Sequence, residues 1–191
     1  MKIVGKLYCG IDLHSNNNYI VVIDENDKRI FEKKLPNESS KILMVLKPYQ
    51  KKLAGIVIES TFNWYCLVDA LIENGFNVRL ANPAAIVQYG GKKHTDDKYD
   101  SFWLAHLLRL DLIKEGYIFP KELRSIRDLM RKRIKFVQSR TTQILGIQNL
   151  YARNLGLKIS SNDIKRLKPE TVQKQFPDFN LAMPILAGLV V

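Results

Sequence analysis

Three apolar runs rich in Ile, Val and Tyr open the chain: KLYCGIDLHS (6–15), NYIVVID (18–24) and a weaker KRIFEKKL (28–35). Short polar connections, Asn16–Asn18 and ENDK (25–28), separate them, so the pattern predicts an antiparallel meander. In ESSKILMVLKPYQKKL (38–53), Ile42, Leu43, Val45 and Leu46 give a short helix that Pro48 limits. AGIVIES (54–60) has no polar alternation and reads as a strand buried on both faces. FNWYCLVDALIENG (62–75) has the spacing of an amphipathic helix ended by Gly75, and FNVRLANP (76–83) that of a strand stopped by Pro83.

AAIVQYGGKKHT (84–95) is irregular, and a helix from Asp97 to about Leu112 follows it. The predicted order β-β-β-α-β-α-β-α describes an α/β mixed sheet flanked by helices, which matches the ribonuclease-H-like architecture. From about Glu122 the period changes. Leu123, Ile126, Met130, Ile134, Val137, Thr141, Ile144, Gln148, Tyr151 and Leu155 keep three-four spacing, which predicts one long coiled-coil-like helix. So narrow a stripe needs another helix to pack on, from this chain or a partner. The polar, proline-marked tail after Gly156 suggests one short helix, and the apolar end LAMPILAGLVV suggests a core element cut off from its domain.

Charge sharpens this division. Residues 1–120 carry 16 Lys and Arg against 14 Asp and Glu, whereas residues 121–191 carry 14 against 5. Most of the net charge of +11 therefore lies in the second part, as expected of a folded domain followed by a polyanion-binding extension. Arg124, Arg127, Arg131, Lys132, Arg133, Lys135 and Arg140 are the candidate phosphate contacts; by charge alone, a solvated basic helix fits equally well. The expected division is 1–116, 117–158 and 159–191. No run reaches the ~18 apolar residues of a membrane span, so no membrane partner is expected. Cys9 and Cys66, both in apolar surroundings, read as reduced core thiols of a cytoplasmic protein.

The candidate chemistry lies in carboxylates. Asp12 sits mid-strand between Ile11 and Leu13, where a buried carboxylate costs several kcal/mol unless it is paired or metal-bound. No basic residue is obviously placed to neutralise it. Glu59 closes the apolar run GIVIE at a strand's carboxyl end, the edge where open α/β sheets build their sites. Asp97 and Asp100, at i and i+3, project from one helix face. If that helix lies beside the first strand, four carboxylates converge, and they suit two divalent cations, Mg2+ or Mn2+. Asp96 is then the expected N-cap, although Asp96 with Asp100 at i+4 is geometrically possible too.

CGIDLHS, VIES and DDKYDSFWLAHLL resemble the DEDD transposases of insertion sequences, the one-hundred-and-ten family, which also contains pilin-gene invertases. The shared pattern is an early Gly-Ile-Asp, a Glu after an apolar strand, and Asp-x-x-Asp-[Ala/Ser]-x-x-[Leu/Ile]-Ala on a helix. Asp97, Asp100, Ser101, Leu104 and Ala105 fit that last element, which selects Asp97 over Asp96. The resemblance spans residues 5 to about 155 and implies a RuvC-like domain followed by a coiled coil. It implies catalysis by Asp12, Glu59, Asp97 and Asp100 on DNA phosphodiesters at element ends and target, guided by a structured bridge RNA. A homodimer or higher homo-oligomer and a bacterial, nucleoid-associated setting follow from the same resemblance. Family members carry a catalytic serine in a second, C-terminal domain, and this chain is expected to stop about where that domain begins.

Two other classes compete. An actin-like or sugar-kinase-like ATPase also begins with Gly-Ile-Asp, but needs a glycine-rich phosphate loop that DLHSNNN does not supply. A non-catalytic nucleic-acid-binding module would use the same acids as caps and surface charge. Among lesser candidates, His14 and His94 could touch phosphate or a metal-bound water, and the default for each is polar surface. Trp64, Tyr65, Phe102 and Trp103 at helical spacing are expected in the core, Thr61 and Asn63 start a helix or orient a ligand, and Ser101 is a packing residue.

Overall fold

The computed structural model describes residues 5–82 and 96–189. The chain divides into two compact units, one ending at Ile118 and the other starting at Phe119. In the first, β1 (Leu7–Leu13), β2 (Asn17–Ile23) and β3 (Arg29–Pro36) form the expected meander. Helix α1 (Ser39–Leu46) leads to β4 (Leu53–Glu59), α2 (Trp64–Glu73), β5 (Val78–Ala81), α3 (Asp97–Arg109) and a two-residue β6 (Glu115–Gly116). The sheet order is β3-β2-β1-β4-β5-β6, with β1, β4 and β5 parallel and the remaining neighbours antiparallel. This mixed sheet is the ribonuclease-H-like arrangement that the element order predicts. β6 was not anticipated, because two residues carry no periodicity.

Helices cover both faces of the sheet, which is why β1 and β4 are buried without alternation. On one face Cys9, Ile11, Ile56 and Ile58 pack with Ile42, Leu46, Val68 and Leu71 of α1 and α2. On the other, Val57 and Ala81 meet Leu104, Leu107 and Leu108 of α3, while Val21 and Ile23 meet Ala105. Helix α3 comes so close to β1 that a Cβ on Gly10 would lie 2.0 Å from the Ser101 carbonyl oxygen. Ser101 is fully buried at this contact and donates its hydroxyl to the Asp97 carbonyl at 2.8 Å, the packing role expected of it. At the far end of α3, Asp27 takes Arg109 Nε and Nη2, both at 2.7 Å, and His106 Nδ1 at 2.9 Å. That clamp ties the helix to the β2–β3 turn. Desolvation would raise the Asp27 carboxyl, but the hydrogen bonds and charges of Arg109 and His106 together hold it below its usual value. Of the two thiols, Cys9 is buried as expected, whereas Cys66 is exposed on α2.

The second unit begins with α4 (Lys121–Leu155), a 35-residue helix ended by left-handed Gly156. Its stripe is used unequally. Toward the C-terminal end Ile147 and Tyr151 are buried against α5 (Ser161–Ile164), α6 (Pro169–Gln175) and α7 (Phe179–Leu189). Ile164, Val172, Phe176, Ala182 and Ile185 complete that small core, and Tyr151 donates to Gln175 Oε1 at 2.6 Å. The tail thus forms three helices where the sequence suggests one: α5 and α6 are too short to show a period, and α7 is a near-continuous apolar run with Pro184 inside it. Upstream, Leu123, Ile126, Met130, Ile134 and Val137 remain about half exposed, the most exposed being Ile126 at 59%. No helix among the described residues is long and apolar enough to cross a membrane.

Candidate metal centre

Strand periodicity aims the acids. On β1, Tyr8, Gly10 and Asp12 share the face covered by α3, opposite Cys9, Ile11 and Leu13. On β4 the same alternation puts Val57 and Glu59 on that face. The two strands are in parallel register up to Ile11 and Ile58, so Asp12 and Glu59 are lateral neighbours one step further on. Asp97 and Asp100 lie in the first turn of α3, and Asp96 caps it by accepting the Tyr99 amide at 2.8 Å. The cap and the paired aspartates are therefore different residues, as the motif requires.

Two of the four carboxylates, Asp12 and Glu59, feel the charge of the others. Burial, followed by the charges of Asp100 and Asp97, pushes the Asp12 carboxyl up to about 6 despite the pull of His14. The Glu59 carboxyl is also raised, by burial first and then by Asp12 and Asp100. Asp97 is shifted the other way, because the Lys34 hydrogen bond outweighs burial and His14 adds to it. Asp100 Oδ1 is shielded from solvent beneath this cluster. A set of hard oxygen donors, two of them resisting ionisation, suits a divalent cation.

His14, expected at the polar surface, joins the acids. Its Nε2 lies 3.1 Å from Asp12 Oδ2 and 3.1 Å from Asp97 Oδ1, while Lys34 Nζ holds Asp97 Oδ2 at 2.9 Å. Asp12 therefore does have a basic neighbour, two residues along its own chain, contrary to the expectation from sequence. Asp12, His14 and Asp97 could hold a metal ion, their ligand atoms all lying within 4.8 Å of one another. His94 lies outside the described residues. Thr61 and Asn63 help to build the rim: Thr61 donates its hydroxyl to Asn63 Oδ1, and Asn63 Nδ2 donates to the His14 carbonyl. Trp64 is buried in the core, while Tyr65, Phe102 and Trp103 are half-buried.

The seven candidate cations lie on α4, apart in sequence from the carboxylates. Arg124 is buried, with its Nε donating to the Phe119 carbonyl at 2.9 Å, and so is built into the helix start. Arg127 is half-buried over the Phe119 ring. Arg131, Lys132, Arg133, Lys135 and Arg140 are exposed.

A family model of DEDD transposases from insertion sequences, described as Transposase, matches residues 9–152. Among solved structures the chain is similar to RuvC of Thermus thermophilus in complex with a Holliday junction substrate. There the identity is 12% and the TM-score 0.44, with 58% of this chain and 99% of that chain covered. Another structure of the same organism's RuvC gives 11% identity, a TM-score of 0.43 and the same coverage. No curated protein matches the chain.

Proposed function

This chain belongs to the DEDD transposases of insertion sequences, and from that premise we propose that its first unit carries out divalent-metal-dependent phosphodiester chemistry on DNA. The observation that carries the reading is the placement of Asp12 and Glu59 on the sheet face covered by α3, whose first turn bears Asp97 and Asp100; the charges of Asp100 and Asp97 act on Asp12, and those of Asp12 and Asp100 on Glu59. Asp12 and Glu59, on rigid central strands, supply fixed oxygen ligands, and the first turn of α3 adds Asp97 and Asp100. Mg2+ or Mn2+ bound there would act as a Lewis acid on the phosphate and lower the pKa of a bound water. The close contact at Gly10 fixes the distance between the strand and helix ligands. Lys34 turns Asp97 Oδ1 toward the centre by occupying Oδ2.

Calorimetric titration with manganese and with magnesium tests the site. Each ion is expected to bind and to raise the Tm at millimolar concentration, through preferential binding to the native state. The Asp12→Asn, Asp97→Asn double variant should show neither effect. An unchanged Tm in the parent protein, or an equal shift in the variant, would reject the metal site.

We propose further that α4 grips nucleic-acid backbone, at the element's DNA ends and at a structured guide RNA. Five exposed cations between Arg131 and Arg140 support this, and each phosphate neutralised steepens the dependence of affinity on salt. In mobility-shift titrations, replacing Arg131, Lys132, Arg133, Lys135 and Arg140 by Gln should cut affinity by more than tenfold and flatten the salt slope. Arg124→Gln should lower stability instead, by leaving the Phe119 carbonyl without its donor. Equal salt slopes for parent and five-site variant would remove α4 from the interface.

The half-exposed stripe from Leu123 to Val137 supports self-association of α4 as a homodimer or higher oligomer. Light scattering at moderate salt should return at least twice the 22.1 kDa chain mass. Ile126→Glu, Ile134→Glu should return a monomer. A monomeric parent protein, with and without nucleic acid, would disprove the association.

A further inference from the structure

His14 is held in place by more than its own side chain. Its carbonyl oxygen accepts from Asn37 Nδ2 and from Asn63 Nδ2, both at 2.8 Å. Asn37 belongs to the β3–α1 connection and Asn63 to the β4–α2 connection, so the residue is gripped from two sides of the sheet edge. Each clamp is itself braced: Asn18 Nδ2 donates to Asn37 Oδ1 at 3.0 Å, and Thr61 Oγ1 donates to Asn63 Oδ1 at 2.9 Å. Four side chains thus fix one backbone position, which points an imidazole nitrogen between two carboxylates. An ordinary surface histidine needs no such support.

The spacing is also that of a coordination shell. Adjacent ligand atoms around an octahedral ion with bonds of about 2.1 Å are about 3 Å apart. The two 3.1 Å edges from His14 Nε2 to Asp12 Oδ2 and Asp97 Oδ1 have this length. Magnesium favours all-oxygen shells, whereas divalent transition ions accept imidazole nitrogen readily.

From the proposed metal-dependent function we infer that His14 is a ligand of the same centre, and that its nitrogen makes the centre prefer a divalent transition ion to magnesium. On binding, the Nε2 proton would leave to solvent or pass to Nδ1, and the ring would exchange its two carboxylate contacts for a bond to the ion, with the carboxylates as neighbouring ligands. Asn37 and Asn63 are positioning residues that hold the main chain of His14 during this exchange.

Manganese is the probe, since it is paramagnetic and its electron spin echo is modulated by a directly bound imidazole 14N. The full chain loaded with Mn2+ should show that modulation, and His14→Gln should lose it. By calorimetry, the ratio of manganese to magnesium affinity should fall about tenfold or more in His14→Gln. His14→Asp should bind manganese and magnesium without the nitrogen signal, which separates a lost nitrogen ligand from a misfolded site. Manganese that binds the parent protein with no nitrogen modulation, or with a modulation that persists in His14→Gln, overturns the inference and leaves the carboxylate site standing. Failure of manganese to bind at all overturns both.

Discussion

Gly10→Ala should unfold the first unit or nearly so, at a cost of more than about 3 kcal/mol. The added Cβ would stand 2.0 Å from the Ser101 carbonyl oxygen, 2.7 Å from the Ala105 nitrogen and 3.0 Å from Leu104 Cβ. Two of those atoms are helix backbone, which cannot turn aside as a side chain can. Helix α3 would have to leave β1, exposing Leu104 and Leu107 and drawing Asp97 and Asp100 away from Asp12. Gly55→Ala is the matched control on the neighbouring strand, because its new Cβ would find its nearest atoms at 3.6 Å, an ordinary contact. Urea denaturation should place Gly55→Ala within about 1 kcal/mol of the parent. A Gly10→Ala protein with parental stability would refute the close helix–strand contact on which the site's geometry depends.

Asp12→Asn should abolish strand cleavage while stabilising the protein in divalent-free buffer. Its folded-state carboxyl titrates at about 6, above the ordinary value near 4, so the native chain holds this proton more tightly than the unfolded chain. Stability from this group is complete below about pH 4 and falls as the pH rises to about 6, and the deficit then persists. Two pK units correspond to about 3 kcal/mol, an upper figure because the substitution also costs His14 one of its partners. Thermal melts with chelator should therefore rank Asp12→Asn above the parent at pH 7.5, with the gap closing toward pH 4. Millimolar manganese should reverse the ranking, since only the parent gains from binding. On the proposed metal-dependent function, DNA cleavage should fall by at least a thousandfold, because Asp12 would be a ligand held on a central strand with no substitute. An Asp12→Asn protein less stable than the parent at pH 7.5, or a gap independent of pH, would show that Asp12 is not under electrostatic strain.

Both results turn on the same short motifs, and the structure explains their composition. In CGID, Gly10 admits the helix, Ile11 fills the opposite core and Asp12 returns to the helix side. In DKYDS, Ser101 is small because it meets Gly10, which brings the two aspartates of the preceding turn onto the strand. The motif is a helix–strand contact as well as a set of carboxylates.

Sequence alone determined what period and local chemistry can encode. Apolar runs put Asp12 within a strand and Glu59 at a strand's carboxyl end, i,i+3 spacing paired Asp97 with Asp100, and Asp96 was readable as a cap. The long period of α4 and its charge were equally local properties. Tertiary structure decided whatever depends on which elements meet. His14 reaches Asp97 across 83 residues of chain, and Arg109 reaches Asp27 across 82, distances over which no sequence period extends. Arg124 is spent on the Phe119 carbonyl, a loss that its charge could not reveal. The lower end of the α4 stripe is covered by helices of four, seven and eleven residues, two of them too short and the third too uniformly apolar to declare a face until Ile147 and Tyr151 supply the other half of the core. A repeating pattern fixes the direction in which a side chain leaves its own backbone, but its partner is fixed only when burial brings distant segments together.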